Sequence, residues 1–204
     1  MYKFSYFTET DNTVVIEFMK ENSFAIITAI GETYPVATQV PLFIDINSAG
    51  KILLTGHIMR KTDHHKAFEK NDHVLVLFTG PHTYVSASWY TNPQMASTWN
   101  YMTVHAKGKI TLLDEAATYE AIKNITDKYE GRETAAAFHK MDGDYIASML
   151  KAIIAFSIEV ESIENVFKLS QNRDEQSKKN IIEALQQKPD DHSKMIAAEM
   201  IKRL

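Results

Sequence analysis

Two cations, Arg60 and Lys61, stand directly before Thr62, a good N-cap for a short helix running from Asp63 to Lys70 and ended by Asn71. A helix start offers free N–H groups and the positive end of its dipole, so basic side chains beside it make a place for an anion, a phosphate above all. Arg60 suits that task better than Lys61, because a guanidinium grips two oxygens at once whereas an ammonium acts as a point charge. The competing reading is an ordinary solvated pair on a strand-to-helix loop.

A second candidate surface lies from His73 to Ala106. Charged residues make up 24% of the protein, yet this stretch contains no Asp, Glu, Lys or Arg and holds both tryptophans. Uncharged, aromatic-rich sequence that keeps Ser, Thr, Asn and His suits a wall against a flat, partly apolar ligand or a second subunit. Ser86, Ser88 and Tyr90 alternate along an expected strand and would share one face, able to donate hydrogen bonds to a ligand. Trp99 and Asn100 sit in the same uncharged run. Local backbone service by the hydroxyls and packing by the aromatic rings are the alternative roles.

Six histidines, His57, His64, His65, His73, His82 and His105, crowd one third of the chain. Their spacing argues against a metal centre: His64 and His65 are adjacent on a helix and the others lie on separate elements without a carboxylate at ligand spacing. A structural or surface role is expected, with haem ligation by one of them a minor alternative. No nucleophile elbow, Walker loop or dinucleotide glycine fingerprint occurs, and no carboxylate pair stands out for acid–base work. The catalytic residues are unassigned, and any redox chemistry would belong to a bound group that the protein orients.

The elements that must position these residues read as mainly β with α. Asp11 caps an expected helix from Asn12 to Glu21. Strands are expected at Phe24 to Ile30, Val36 to Ile46, Lys51 to His57, His73 to Thr79, Thr83 to Trp89, Tyr101 to Leu112, and around Ile154 to Val160, with Pro41 implying a bulge or an edge. Helices are expected after Asp114, from Asp144 through Lys151, from Asp174 to Gln187 and from His192 to Leu204. Six to seven short antiparallel strands with small helices point to a closed or split barrel, which removes exposed edges. With 204 residues the chain can bury a full core. The expected division is a barrel over residues 1–170 and a helical extension over 171–204 that packs on the barrel or on a partner.

The formal charge of −4 leaves no global footprint for nucleic acid or for an anionic membrane. Zero cysteines exclude a disulfide framework and a thiolate nucleophile. The N-terminal MYKFSYFTETDN lacks the pattern of a signal peptide and no apolar run approaches a membrane span, so a cytoplasmic protein is expected.

Three segments, GPHTYVSASWY (80–90), STWNYMTVHAKG (97–108) and FKLSQNR (167–173), together with GHIMRKT (56–62) and ATQVPL (37–42), resemble the PaiB-like family of FMN-binding split-barrel proteins, which are often called negative transcriptional regulators. Departures from the family pattern include Ala87 for a Pro, Gln39 for a His and Thr62 for an Asn. The resemblance implies FMN held at the interface of a homodimer, with a flavin-dependent redox or sensing role. It places Arg60, Lys61 and Thr62 with His57 at the phosphate and Thr38, Gln39 and Val40 along the ring, while the other protomer offers Trp99, Asn100 and Thr103. A haem-binding split barrel and a cofactor-less interaction module are the alternatives, and direct contact with nucleic acid is not supported by charge.

Overall fold

Helices begin in this chain where a short polar side chain can close the first turn. In the computed structural model, which describes Met1 and residues 4–204, Asp11 accepts from the Thr13 N–H (2.8 Å) at the start of α1 (Asn12–Glu21). Thr62 accepts from the His65 N–H (3.3 Å) at α2 (Asp63–Lys70), and Asp114 accepts from the Ala117 N–H (2.9 Å) at α3 (Glu115–Glu130). Helix α4 (Gly143–Ala152) departs from expectation: its cap is Asp142, which accepts from Tyr145 (3.0 Å), rather than Asp144, which falls inside the first turn. Helices α5 (Glu175–Gln186) and α6 (Asp191–Ile201) are capped by Asp174 and Asp190.

The protein is a split β-barrel of seven antiparallel strands with peripheral and C-terminal helices. The strands are β1 (Phe24–Ala29), β2 (Val36–Pro41), β3 (Phe43–Ile46), β4 (Ile52–Met59), β5 (His73–Val85), β6 (Thr98–Leu112) and β7 (Ile153–Lys168), paired in the order β2-β1-β5-β6-β7-β4-β3. The expected hairpin of β1 with β2 forms, in the register Phe24↔Pro41 to Ala29↔Val36. The expected single strand from Val36 to Ile46 does not. It divides at Leu42, whose N–H donates to the Ser23 carbonyl (2.9 Å), because Pro41 has no N–H to continue a ladder. Beyond Leu42 the chain joins the other end of the sheet, Phe43 pairing with Thr55. The two outermost strands are thus consecutive in sequence, one residue apart, which draws the two ends of the sheet together.

The residues fall into two units. One comprises 23–77 and 106–163 and contains a segment of all seven strands. Its interior follows the alternation of each strand: Ala25, Ile27 and Ala29 from β1, Leu54 and Ile58 from β4, Val74 and Val76 from β5, Ile154, Phe156 and Ile158 from β7 are all buried.

The other unit comprises 1–22, 78–105 and 164–204, so residues 171–204 group with the N-terminal helix and the distal halves of β5, β6 and β7. Two strands expected at His73–Thr79 and Thr83–Trp89 are one strand here. Gly80 lies within it, and there the Phe18 ring of α1 occupies the space a side chain would take, 2.5 Å from where a Cβ would lie. Helices α5 and α6 pack on each other through buried Ile181, Leu185, Ile196 and Met200. Each is pinned by a buried serine near its start. Ser177 donates to Asp174 (2.6 Å) and accepts from the Thr91 N–H (2.9 Å), while Ser193 donates to Asp190 (2.8 Å) and shares a hydrogen bond with the Thr83 hydroxyl (2.8 Å).

These caps carry a pH dependence. The Ser177 side chain and backbone N–H hold Asp174 below its ordinary value of 3.8, and the Ser193 N–H and hydroxyl do the same for Asp190. A depressed folded-state pKa means the native state binds protons less readily than the unfolded one. The stabilisation is therefore complete above the ordinary value and is lost as the pH falls toward the depressed ones. Amide protection across α5 and α6, followed by hydrogen exchange, is expected to drop on acidification below pH 3.8, and to drop less in an Asp174→Asn, Asp190→Asn double variant. No helix among the described residues is long and apolar enough to cross a membrane.

Candidate functional site

Within the barrel unit, Thr38, Gln39, Val40 and Pro41 of β2 line one cavity with His57, Ile58 and Met59 of β4. Thr62 and His64 at the start of α2 and Ile153 at the start of β7 complete it, enclosing about 310 Å3. Five of the expected site residues, Thr38, Gln39, Val40, His57 and Thr62, are thereby brought together from three elements. The volume is within the range of small-molecule pockets, roughly 300 to 1,000 Å3. Ile58, Met59 and Ile153 are wall residues that no sequence signal singled out, and Pro41 and His64, noted in the sequence for other reasons, join them. They are largely apolar and are recruited by pairing, since β4 runs beside β7 with Met59 opposite Ile153.

Burial lowers the pKa of His57 below the ordinary 6.5, so at neutral pH its imidazole is uncharged and can both donate and accept. Thr62 is held rigidly: its hydroxyl donates to the Met59 carbonyl (3.0 Å), accepts from the His65 N–H, and lies 3.0 Å from His64 Nε2.

Arg60 and Lys61 occupy the two positions between Met59 and Thr62, at the cavity's margin rather than in its wall. Arg60 is half-buried and tied down, its Nε donating to the Ile153 carbonyl (2.9 Å) and its N–H to that of Ala152 (2.8 Å). Among the described residues neither cation has a carboxylate partner. The helix end itself is less available than the sequence implies. The His64 N–H is engaged by Asp63 (2.8 Å) and the His65 N–H by Thr62, and the His64 backbone holds the Asp63 carboxyl below its ordinary range, so that it stays ionised. An anion held at this turn would therefore have to rely on the two side chains.

The second unit carries the aromatic surface. Trp99 is 53% exposed, with the rings of Tyr84 and His82 each 6.1 Å away, and His192 stacks edge-on against His82 (4.6 Å). Beside them Thr79, Gly80, Tyr101, Met102 and Thr103 frame a shallow, mostly apolar hollow of about 430 Å3. Thr103 lines it, although its hydroxyl proton is directed to the Phe78 carbonyl (2.9 Å).

Three expected residues are placed differently. Asn100 is 0% exposed: it follows Trp99 on β6 and so points to the opposite face, where it accepts from Ser170 (3.1 Å) and donates to the Met200 sulfur (3.6 Å). Ser86 and Ser88 do not share a strand face with Tyr90, because β5 ends at Val85 and residues 87–89 form a 3-10 turn. The two hydroxyls lie 2.8 Å apart and Ser86 caps the turn through the Ser88 N–H (3.3 Å). Tyr90 is buried beneath the Arg173 guanidinium, 4.2 Å from the ring centre.

Within the FKLSQNR segment, Lys168 has a supporting role that its residue type alone does not announce. Lys168 donates to the Trp99 carbonyl (2.8 Å) and to the Thr98 hydroxyl, and lies 5.8 Å over the Phe7 ring. Burial, followed by the nearby Arg173 charge, lowers its pKa. Lys168 fixes the backbone that presents Trp99. Among the described residues no group of three or more His, Asp or Glu is placed to hold a metal ion.

Comparison with known proteins bears on the family and the fold. Residues 1–162 match a family model described as "Putative FMN-binding domain". The chain is 35% identical to the Protease synthase and sporulation protein PAI 2 of Bacillus subtilis over 100% of its own length and 98% of that protein. In fold it is similar to the flavocytochrome Anf3 of Azotobacter vinelandii (TM-score 0.64, 15% identity, 82% of this chain and 72% of that one). It is likewise similar to a FAD and heme binding protein of Mycobacterium smegmatis (TM-score 0.58, 15% identity, 79% and 73%).

Proposed function

The chain belongs to the PaiB-like FMN-binding split-barrel family, and from that premise we propose that it binds FMN as a homodimer and serves a flavin-dependent redox or sensing role. The observation that carries this reading is the meeting of Thr38, Gln39, Val40, His57 and Thr62 around one cavity whose margin holds two cations that have no carboxylate partner among the described residues.

Each part of the chain has a task in the proposal. Arg60 and Lys61 take the phosphate; Thr38 and Gln39 supply polar contacts to the ring edge; Val40, Ile58 and Ile153 supply its apolar bed. His57, uncharged at neutral pH, adds a hydrogen bond without adding charge. The Trp99 surface of a second copy covers the ring and excludes water. The flavin, when bound, supplies the electron chemistry, and the protein orients it and tunes its surroundings. With a net charge of −4, any regulatory output is expected to pass through a metabolite or a protein rather than through direct contact with nucleic acid, in a reducing, cytoplasmic setting.

A neutral imidazole in the cavity wall also suits an axial ligand, which makes haem the second reading, with His57 as its ligand. Purified protein distinguishes the two by its visible spectrum, flavin bands for the first and a Soret band for the second. Titration of stripped protein with FMN and with riboflavin, alongside sedimentation, completes the test. Colourless protein that ignores added FMN overturns the proposal, as does a monomer whose flavin affinity is independent of protein concentration.

A further inference from the structure

The turn between β4 and α2 contains two unfavourable features that meet in one hydrogen bond. Lys61 sits at φ 65°, in the left-handed region that side-chain-bearing residues seldom adopt. Its N–H donates to Nδ1 of His65 (3.2 Å), and the His65 side chain is enclosed, the residue being 8% exposed. An Nδ1 that accepts places the ring proton on Nε2 when the imidazole is neutral. That nitrogen is buried without a hydrogen-bond partner; the nearest carboxylate oxygen, Oε1 of Glu69 one turn along α2, is 3.9 Å away, beyond hydrogen-bond reach. A strained backbone and an unpartnered buried donor persist where the surrounding structure over-determines them, and such places concentrate at ligand clamps.

We propose that His65 is the positioning residue for phosphate at this turn: its Nδ1, by accepting the Lys61 N–H, holds the left-handed conformation that turns the Lys61 ammonium, together with Arg60, toward an anion at the cavity margin. The inference rests on the flavin reading above and adds to it a residue that does not touch the ligand. Three consequences follow from the geometry. The arrangement needs an acceptor at Nδ1, so a side chain of similar bulk with no acceptor cannot substitute. An amide oxygen at the same distance from the backbone can. The effect is confined to phosphate-bearing ligands, because the ring-lining residues of β2 and β4 do not depend on the bond.

The experiment compares FMN with riboflavin in wild type, His65→Phe and His65→Asn. His65→Phe is expected to lower the ratio of FMN to riboflavin affinity by about tenfold, the scale of losing an orienting partner, with riboflavin affinity unchanged. His65→Asn, whose Oδ1 takes the place of Nδ1, is expected to restore most of the ratio. An unchanged ratio in His65→Phe overturns the proposal, as does an equal loss for both ligands. Wild-type protein supplies an independent reading through the 15N signals of the His65 ring: FMN is expected to shift Nδ1 and riboflavin to leave it in place, and an Nδ1 signal indifferent to FMN overturns the proposal whether or not the phenylalanine variant folds. Wild type that binds FMN no better than riboflavin removes the phosphate role of the turn, whereas wild type that binds neither removes the flavin reading itself.

Discussion

Arg60→Ala is expected to weaken FMN binding roughly 30- to 150-fold while changing riboflavin affinity far less. A hydrogen-bonded contact to a charged group is worth about 1.5–3 kcal/mol, and a guanidinium engages phosphate through paired, charge-assisted bonds that put it at the upper end of that range. Arg60 is suited to the role because it is already immobilised. Its Nε is engaged by the Ile153 carbonyl and its N–H by Ala152, so little side-chain freedom remains to be lost when an anion arrives. The same tether predicts a modest secondary effect, since alanine leaves the Ile153 carbonyl without its donor at the cavity wall. Arg60→Lys separates the two contributions: it retains the charge but not the fork, and should recover part of the FMN affinity. Titration at two salt concentrations checks the assignment, because the phosphate contribution weakens with ionic strength and the ring contribution does not. Equal affinities of wild type and Arg60→Ala for FMN would count against a phosphate site at this turn.

Gly108→Ala is expected to destabilise the barrel by about 3 kcal/mol, the upper end for overpacking in a well-packed interior. A Cβ built on Gly108 would lie 2.3 Å from the carbonyl oxygen of Glu159 and 3.0 Å from Cγ2 of Ile158. The clash is with backbone of β7, so no rotamer change relieves it and the two strands must separate locally. For a chain of this length that loss corresponds to a fall in Tm of about 6–12 °C. Gly143→Ala supplies the contrast: a Cβ there meets nothing within 4 Å, and the position is the first of α4, so the substitution is expected to be neutral or to stabilise by up to ~1 kcal/mol. Thermal unfolding of the two variants beside wild type reads both outcomes. A Gly108→Ala protein as stable as wild type would mean that β6 and β7 are not packed at this distance.

Local chemistry made much of this protein legible from its residues. Asp11, Thr62, Asp114 and Asp174 announce helix starts because a cap needs only a side chain and the next three amides, all within reach along the chain. Asp142 and Asp144 show where that reasoning thins: either residue type can cap, and it is the first that does. The number of strands survived while their boundaries did not. Splitting Val36–Ile46 at Leu42 added one strand and fusing the two segments of β5 removed one. The split follows from the missing N–H of Pro41 and is fixed by the bond from Leu42 to Ser23, and the fused strand carries Gly80 against the Phe18 ring, a contact distant in sequence.

The candidate site divides in the same way. Residue types identified Arg60, Lys61 and the uncharged aromatic stretch, and likeness to a family pointed to Thr38, Gln39, Val40 and His57. What no periodicity carried was orientation. Asn100 turns inward to Ser170 and Met200 while Trp99, one residue earlier, faces out, and the amides of α2 are closed by its own Asp63 and Thr62. The sequence by itself determined where most of the helices start and that the sheet is antiparallel, and it offered candidate side chains for a phosphorylated ring. The tertiary structure alone decided that β2 and β4 meet around one cavity, that Lys168 supports Trp99, and that His65 closes the Lys61 turn. Capping and alternation are short-range and act within a few residues, whereas these arrangements depend on closing long loops between strands, and the free energy of that closure is not written in any single stretch.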